Sequence, residues 1–192
     1  MVTSIKIRDV ALRYLADYDY DSFSLNQIAN DVGIKKASIY THYRSKEDIF
    51  YAVLMHSIKS GKHTIVSFFH DHRQEPLEKT VQSFFYWFLT ESKKNKELKF
   101  LLRIMYFPPS NLKNYSSNYT GTLLIELERL LKRYIREKIR QEKLDFSQHE
   151  GEIALSFITV AEGCLIELYF ADKPRYEQRV EAILPIFWKG IQ

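Results

Sequence analysis

Residues 33–46 read Gly-Ile-Lys-Lys-Ala-Ser-Ile-Tyr-Thr-His-Tyr-Arg-Ser-Lys, a basic segment that opens on a glycine. The segment holds four Lys or Arg residues and no Asp or Glu, although acidic residues are plentiful elsewhere in the chain. It is too short to bury itself, so we expect Ile34, Ala37 and Ile39 to pack on neighbouring helices while other side chains point outward. A local positive face of this kind is what a polyphosphate backbone requires.

Helices are predicted on both sides of the basic segment. Ser24 followed three residues later by Gln27 is a capping-box pattern that begins one helix, and Gly33 suits the left-handed backbone at its end. An earlier helix is predicted over residues 5–18 from the spacing of its apolar residues. Ser45 is expected to cap the next helix, whose acidic first turn complements the helix dipole. Together these patterns predict a three-helix, helix-turn-helix head.

The outward side chains of the basic segment differ in reach. Lysine and tyrosine can extend to phosphate oxygens, whereas serine and threonine are short enough for base edges in a groove. Tyr43 is expected to have a packing role, and His42 fits either a groove contact or packing at the helix end. The predicted DNA contacts are Lys35, Lys36, Ser38, Tyr40, Thr41, His42 and Lys46.

The head resembles the DNA-binding signature of TetR-family repressors over residues 7–54. The residues that carry the resemblance are Ile28-Ala29, Val32-Gly33-Ile34, Ser38-Ile39-Tyr40, His42-Tyr43 and Ser45-Lys46-Glu47-Asp48-Ile49. It departs from the family pattern where Asp19-Tyr20 replaces a Gly-aromatic pair, Lys35 replaces a Ser or Thr cap, and Tyr43 replaces Phe. The resemblance implies a homodimeric transcriptional regulator, and more specifically a repressor, that binds a pseudopalindromic operator on double-stranded DNA.

The rest of the chain shows long apolar periods of 3.6 residues with few glycines and prolines, a pattern typical of helices. Helices are predicted over residues 76–93, 97–106, 119–141, 148–170 and 174–191. The expected fold is all-α, a three-helix head followed by an antiparallel helical bundle, with about nine helices in all. We expect a DNA-binding domain over residues 1–48 and an effector-binding and dimerisation domain over residues 49–192.

The last two predicted helices carry apolar stripes. Two such helices from each of two subunits can form a four-helix dimer interface, although the same stripes can equally form a core within one chain. Given the resemblance of the head, we expect the dimer. The interface candidates are Phe157, Ala161, Leu165, Leu168, Ile183, Leu184, Phe187 and Trp188.

Aromatic residues are concentrated in the middle helices, on more than one helix face. Some must belong to the core, and others can line a pocket for a small hydrophobic effector. Two charged residues on otherwise apolar helices can orient such a ligand, although a solvated charge is the commoner reason for such a residue. The pocket candidates are Phe84, Phe85, Trp87, Phe88, Arg103, Tyr106, Phe107 and Glu162.

The composition excludes several classes of protein. The 192 residues carry a formal net charge of +4 and contain one cysteine, so an intramolecular disulfide and a multi-cysteine metal site are ruled out. We expect no catalytic activity, cofactor or metal, because no nucleotide-binding glycine loop, nucleophile elbow or cluster of metal ligands occurs. The lack of a long apolar run leads us to expect a cytoplasmic protein without membrane contact. The alternative to a ligand-responsive repressor is a DNA-bound architectural or partner-recruiting protein without an effector.

Overall fold

The computed structural model describes residues 2–170 and 172–192, which form nine α-helices and no β-strand. This confirms the all-α prediction. Short 3-10 turns cover Tyr20–Ser22 and Ser110–Leu112. The helices are α1 (Thr3–Asp17), α2 (Leu25–Val32), α3 (Lys36–Ile39), α4 (Lys46–Asp71), α5 (Leu77–Lys94), α6 (Lys96–Tyr106), α7 (Lys113–Glu142), α8 (Glu150–Tyr169) and α9 (Lys173–Ile191).

Two helices, α2 and α4, begin where their capping residues predict. The backbone N–H of Ser24 donates to the Gln27 side chain at 2.7 Å, and the Gln27 N–H donates to the Ser24 hydroxyl at 3.3 Å, which completes the capping box. Ser45 caps α4 with its hydroxyl, which accepts from the Asp48 N–H at 3.2 Å. The predicted capping roles of Ser24 and Ser45 are therefore confirmed.

The chain divides into two compact units. The first contains Met1–Gly61 and Asn95–Thr120. Its core is built where α4 and α6 meet the helices of the head, and the Phe50 ring lies 5.9 Å from the Phe100 ring and 5.5 Å from the Tyr20 ring. Phe50 and Phe100 are fully buried. Within this unit, α6 packs along α1.

The second unit contains Lys62–Lys94 and Gly121–Gln192, and its core is aromatic. The Phe157 ring of α8 lies 5.6 Å from the Phe85 ring of α5. Tyr176 of α9 is fully buried and its hydroxyl donates to the Phe85 carbonyl at 2.7 Å, which joins α9 to α5. Glu142, at the end of α7, accepts from the Leu77 N–H at 3.0 Å and so caps the start of α5.

The predicted domain boundary after residue 48 stays a prediction, because both compact units draw on the sequence beyond it. Among the described residues, no helix combines the length and the apolar character needed to cross a bilayer.

Candidate DNA-binding surface

The turn between α2 and α3 depends on Gly33. Its φ is +78°, in the left-handed region that side chains with a Cβ disfavour. The Gly33 N–H donates to the Ala29 carbonyl at 3.0 Å, and the Ile34 N–H donates to the same carbonyl at 2.9 Å. These bonds satisfy the end of α2 and direct the chain into α3, so the role predicted for Gly33 is confirmed.

The helical turn of α3 continues past its last residue. The Tyr43 N–H donates to the Ile39 carbonyl at 3.0 Å, and Ile39 is fully buried in the first unit. The Tyr43 hydroxyl donates to the Ser4 carbonyl at 3.0 Å, and burial raises the pKa of this phenol. Tyr43 therefore packs against the start of α1, as predicted, and the face of α3 that carries Ile39 is fixed to the head.

Ala37 of α3 and Thr41, in the turn after α3, lie on the outward edge of this segment. Successive residues of an α-helix are about 100° apart, so Ala37 lies about 160° from Ile39. The side chains of Ala37 and Thr41 are both exposed. The prediction that Ala37 packs with Ile39 is therefore wrong, because two residues of separation place it on the opposite side of the helix. Sequence reasoning missed Ala37 as a surface residue, although the helical period around a buried Ile39 was a sufficient signal.

The flanks of this edge carry the longer side chains. Lys35, Lys36 and His42 are exposed, and Tyr40 retains 52% of its accessible surface. The Lys35 side chain does not cap α3, which agrees with the replacement of the family's Ser or Thr cap by a lysine at this position. Within residues 2–170 and 172–192, no carboxylate forms an ion pair with Lys35 or Lys36. These cations are therefore available to an anion in solvent.

The two hydroxyl groups predicted to reach base edges differ in their surroundings. Ser38 is half-buried, whereas Thr41 is exposed. The Thr41 hydroxyl donates to the Ser38 carbonyl at 2.8 Å. Since a threonine hydroxyl has a single proton, its remaining capacity toward a ligand is that of an acceptor.

Lys46 is bound within the head. Its ammonium donates to the Phe23 carbonyl at 2.7 Å and lies 4.4 Å from the Tyr20 ring centroid and 4.2 Å from that of Phe23. Partial burial lowers the pKa of the Lys46 ammonium. The phosphate contact predicted for Lys46 stays a prediction, and the structure gives this side chain a second role in holding the turn before α2.

The residues predicted to form an effector pocket divide between the two units. Arg103, Tyr106 and Phe107 of α6 and its end belong to the first unit, whereas the others belong to the second. The Arg103 guanidinium lies 2.7 Å from the Asp19 carboxylate, and Lys99 lies 2.5 Å from Asp17. Arg103 therefore ties α6 to the segment that follows α1. No sequence signal predicted these pairs, because the partners lie more than 80 positions apart.

In the second unit, three of the predicted pocket residues, Phe84, Phe85 and Phe88, belong to the core. Phe84 packs 5.4 Å from Phe157, measured between ring centroids. Trp87 is half-buried. Glu162 of α8 is also half-buried, and desolvation raises the pKa of its carboxyl.

The predicted interface residues of α8 and α9 lie mostly inside their own unit. The buried ones are Phe157, Ala161, Leu165, Leu184 and Phe187, and the half-buried ones are Leu168, Ile183 and Trp188. The expected stripe is thus largely intrachain core, because each helix carries two apolar faces and the more continuous one packs inward. Apolar residues on the outer faces, missed in the sequence, are Leu155 of α8 and Ile186 of α9, which retain 54% and 68% of their accessible surface.

The sequence of the head matches a known family. Residues 7–53 match the model described as bacterial regulatory proteins, tetR family. The chain aligns with IcaR of Staphylococcus epidermidis, the negative transcriptional regulator of the biofilm operon icaADBC, at 44% identity over 45 residues. The alignment covers 23% of this chain and 24% of IcaR, so the chain spans about a quarter of the length of the curated relatives it matches.

The fold along the chain is similar to that of solved regulators. Regulatory protein TetR from Rhodobacter sphaeroides superimposes with a TM-score of 0.75 and 15% identity over 100% of both chains. FadR from Bacillus subtilis, solved in complex with stearoyl-CoA, superimposes with a TM-score of 0.68 and 15% identity over 98% of this chain and 99% of FadR. Residues 7–53 therefore match the DNA-binding region of the tetR family of bacterial regulatory proteins, as the resemblance predicted, and the chain shares the fold of these solved regulators.

Proposed function

We propose that the chain is a sequence-specific DNA-binding transcriptional repressor that acts in the cytoplasm as a homodimer, and that it is a regulator and not an enzyme. The observation that carries the proposal is the outer surface of α3. That surface is held to the head by Ile39 and Tyr43 and presents two lysines that have no carboxylate partner among the described residues. The similarity of the head to IcaR, a negative regulator, supports repression over activation.

The side chains around α3 are assigned to phosphates or to base edges according to their length. Lys35, Lys36 and Tyr40 flank the helix and are proposed to contact phosphates, which supply affinity without sequence preference. Ser38, Thr41 and His42 are proposed to lie at base edges in the major groove. An α-helix fits this groove, which is about 12 Å wide, so α3 is the element that enters it.

A homodimer places two copies of α3 on one DNA site. Half-sites one helical turn apart are separated by about 34 Å, and a protein with two-fold symmetry requires a pseudopalindromic operator. We propose that the outer faces of α8 and α9 form the interface, since Leu155, Thr159 and Ile186 are exposed there. Exposed Gly163 on α8 permits close approach of a second helix.

An effector is proposed to act on α6. This helix packs along α1 and is tied to its end by Lys99–Asp17 and Arg103–Asp19. A ligand that moves α6 therefore displaces the head through direct contacts. FadR from Bacillus subtilis was solved with stearoyl-CoA, so a hydrophobic acyl compound is our first choice of effector. The candidates to contact it from α6 and its end are Tyr106 and Phe107.

The DNA proposal is tested with purified protein and a library of genomic DNA fragments at about 0.15 M salt, from which retained fragments are sequenced. We expect enrichment of one palindromic sequence bound by a single dimer. The double variant Lys35→Ala/Lys36→Ala should lose most of this retention, while the exposed Lys59→Ala of α4 serves as the matched control. Uniform weak retention favours an architectural DNA-binding protein, and no retention contradicts the proposal.

The effector proposal is tested on the recovered operator. Stearoyl-CoA, free coenzyme A and stearate are titrated against the protein–DNA complex, and operator affinity is measured by fluorescence anisotropy. A ligand that binds the DNA-incompetent state about 2.7 kcal/mol more tightly lowers operator affinity about 100-fold. If none of the hydrophobic ligands changes the operator affinity but a protein partner does, the partner-recruiting alternative is favoured.

A further inference from the structure

The side chains on the outermost edge of α3 are small and carry methyl groups. Ala37 lies about 160° from the buried Ile39 on α3, and Thr41 follows in the turn in which the Tyr43 N–H still donates to the Ile39 carbonyl. The side chains of Ala37 and Thr41 are both exposed. When this edge enters the major groove, these two side chains meet the base edges together with the neighbouring Ser38 and His42. The long side chains of Lys36 and Tyr40 stand to the side and do not prevent close approach.

The hydrogen-bonding capacity of this edge is restricted. Ala37 has no polar side-chain atom, and the single proton of the Thr41 hydroxyl is donated to the Ser38 carbonyl at 2.8 Å. Thr41 therefore offers DNA an acceptor and a methyl group but no donor. In the major groove, guanine presents two acceptors, whereas adenine presents an amino donor and its partner thymine presents a methyl group.

Resting on the proposed function, we infer that Ala37 and Thr41 select A·T base pairs, with Ala37 and the Thr41 methyl against thymine C5-methyl groups and the Thr41 hydroxyl accepting from an adenine amino group. Guanine opposite these two residues is disfavoured because neither Ala37 nor Thr41 offers a donor to its two acceptors. Four residues of helical backbone rise about 6 Å, so two residues four positions apart select pairs within about two base pairs of each other.

The test replaces each thymine of the recovered operator by deoxyuridine, which pairs identically but lacks the C5-methyl group. The ratio of the dissociation constants for the two DNAs is measured by fluorescence anisotropy. In the wild-type protein, one or two adjacent positions in each half-site should show a loss of about fourfold, the effect of one buried methyl group. All other positions should show a ratio near one.

Two variants assign the contacts. Ala37→Gly removes one protein methyl group. At the position that Ala37 contacts, the deoxyuridine operator should then bind as well as the thymine operator, with a ratio of dissociation constants near one. Thr41→Ser removes the methyl but keeps the hydroxyl, and should do the same at the neighbouring position. A variant that loosens the head weakens binding to both DNAs equally, so the ratio isolates the contact from any loss of folding. Thr90→Ser of α5 is the matched control, because this threonine is also exposed and also donates to a carbonyl of its own helix.

The acceptor role is tested separately with Thr41→Val, which keeps the methyl group and replaces the hydroxyl by a second methyl group. Discrimination between A·T and G·C at the assigned pair should fall about fivefold. An operator whose thymines all give a ratio of one with the wild type overturns the inference and leaves the proposed function standing. Deoxyuridine effects that persist undiminished in both methyl-deletion variants also overturn it, and failure to recover any operator removes the proposed function together with this inference.

Discussion

The basic segment around α3 and the two C-terminal helices differ in what determines their structure. In the segment, Gly33 is left-handed and Tyr43 packs inward, as the sequence predicts. In α8 and α9 the helices form where expected, but Phe157 and Phe187 are buried while Leu155 and Ile186 lie outside. Turns and caps depend on neighbours in the chain. The choice between two apolar helix faces depends on which elements pack against them.

The largest expected effect on stability distinguishes the buried face of α8 from its exposed face. Phe157→Ala removes a buried ring and should lower the free energy of unfolding by about 3–5 kcal/mol. Leu155→Ala, two residues away on the exposed face, should lower it by under about 1 kcal/mol but raise the dimer dissociation constant. Urea unfolding and analytical ultracentrifugation measure the two quantities. Equal losses of stability in both variants would contradict the assignment of the faces.

The second prediction tests the left-handed backbone conformation of Gly33 in the turn before α3. Gly33→Ala should destabilise the protein by about 1–2 kcal/mol, because an alanine in the left-handed region is strained. Gly121→Ala in α7 is the control and should stabilise the helix by about 0.5–1 kcal/mol. At both positions an added Cβ meets no heavy atom within 4 Å, so only the backbone differs. Thermal unfolding of both variants should shift in opposite directions, and a shift in the same direction would count against this explanation.

A third prediction distinguishes two lysines in the head. Lys46→Ala should lower the free energy of unfolding by about 1–2 kcal/mol, because it removes a hydrogen bond to the Phe23 carbonyl and two contacts with aromatic rings. Lys36→Ala should leave stability unchanged and reduce the slope of log affinity against log salt by about 1. Each variant is measured by chemical unfolding and by operator binding at several salt concentrations. The same salt-slope change without loss of stability in Lys46→Ala would favour a phosphate contact alone.

The smallest effect concerns the ion pair between α6 and the segment after α1. Asp19 is 78% exposed, so its pair with Arg103 is strongly screened. Asp19→Asn should lower the free energy of unfolding by at most about 0.5–1 kcal/mol. Asp21→Asn, an exposed neighbour, is the control. A loss above about 2 kcal/mol in Asp19→Asn would show that this pair supports the head far more than a surface pair normally does.

Most of the structure of the head could be predicted from its residues, because the caps and the glycine turn that define its helices depend on residues close together in the chain. Ser24 and Gln27 cap the same helix that Gly33 ends, so three residues within ten positions fix α2. Ala37 is the exception in this region, since apolar character suggested burial. The orientation of α3 about its own axis decides whether Ala37 is exposed. That orientation is set by the packing of Ile39 against the rest of the head.

Short stretches of sequence are enough to set where the helices form, the turn that presents α3 and the positive charge beside it, because caps, glycine conformation and charge are local properties. Packing was needed to establish that Arg103 binds Asp19, that Lys46 lies between the Tyr20 and Phe23 rings, and that Leu155 and Ile186 remain exposed. These outcomes follow from contacts between distant parts of the chain. An amphipathic period indicates that a face is buried but does not identify the partner that buries it.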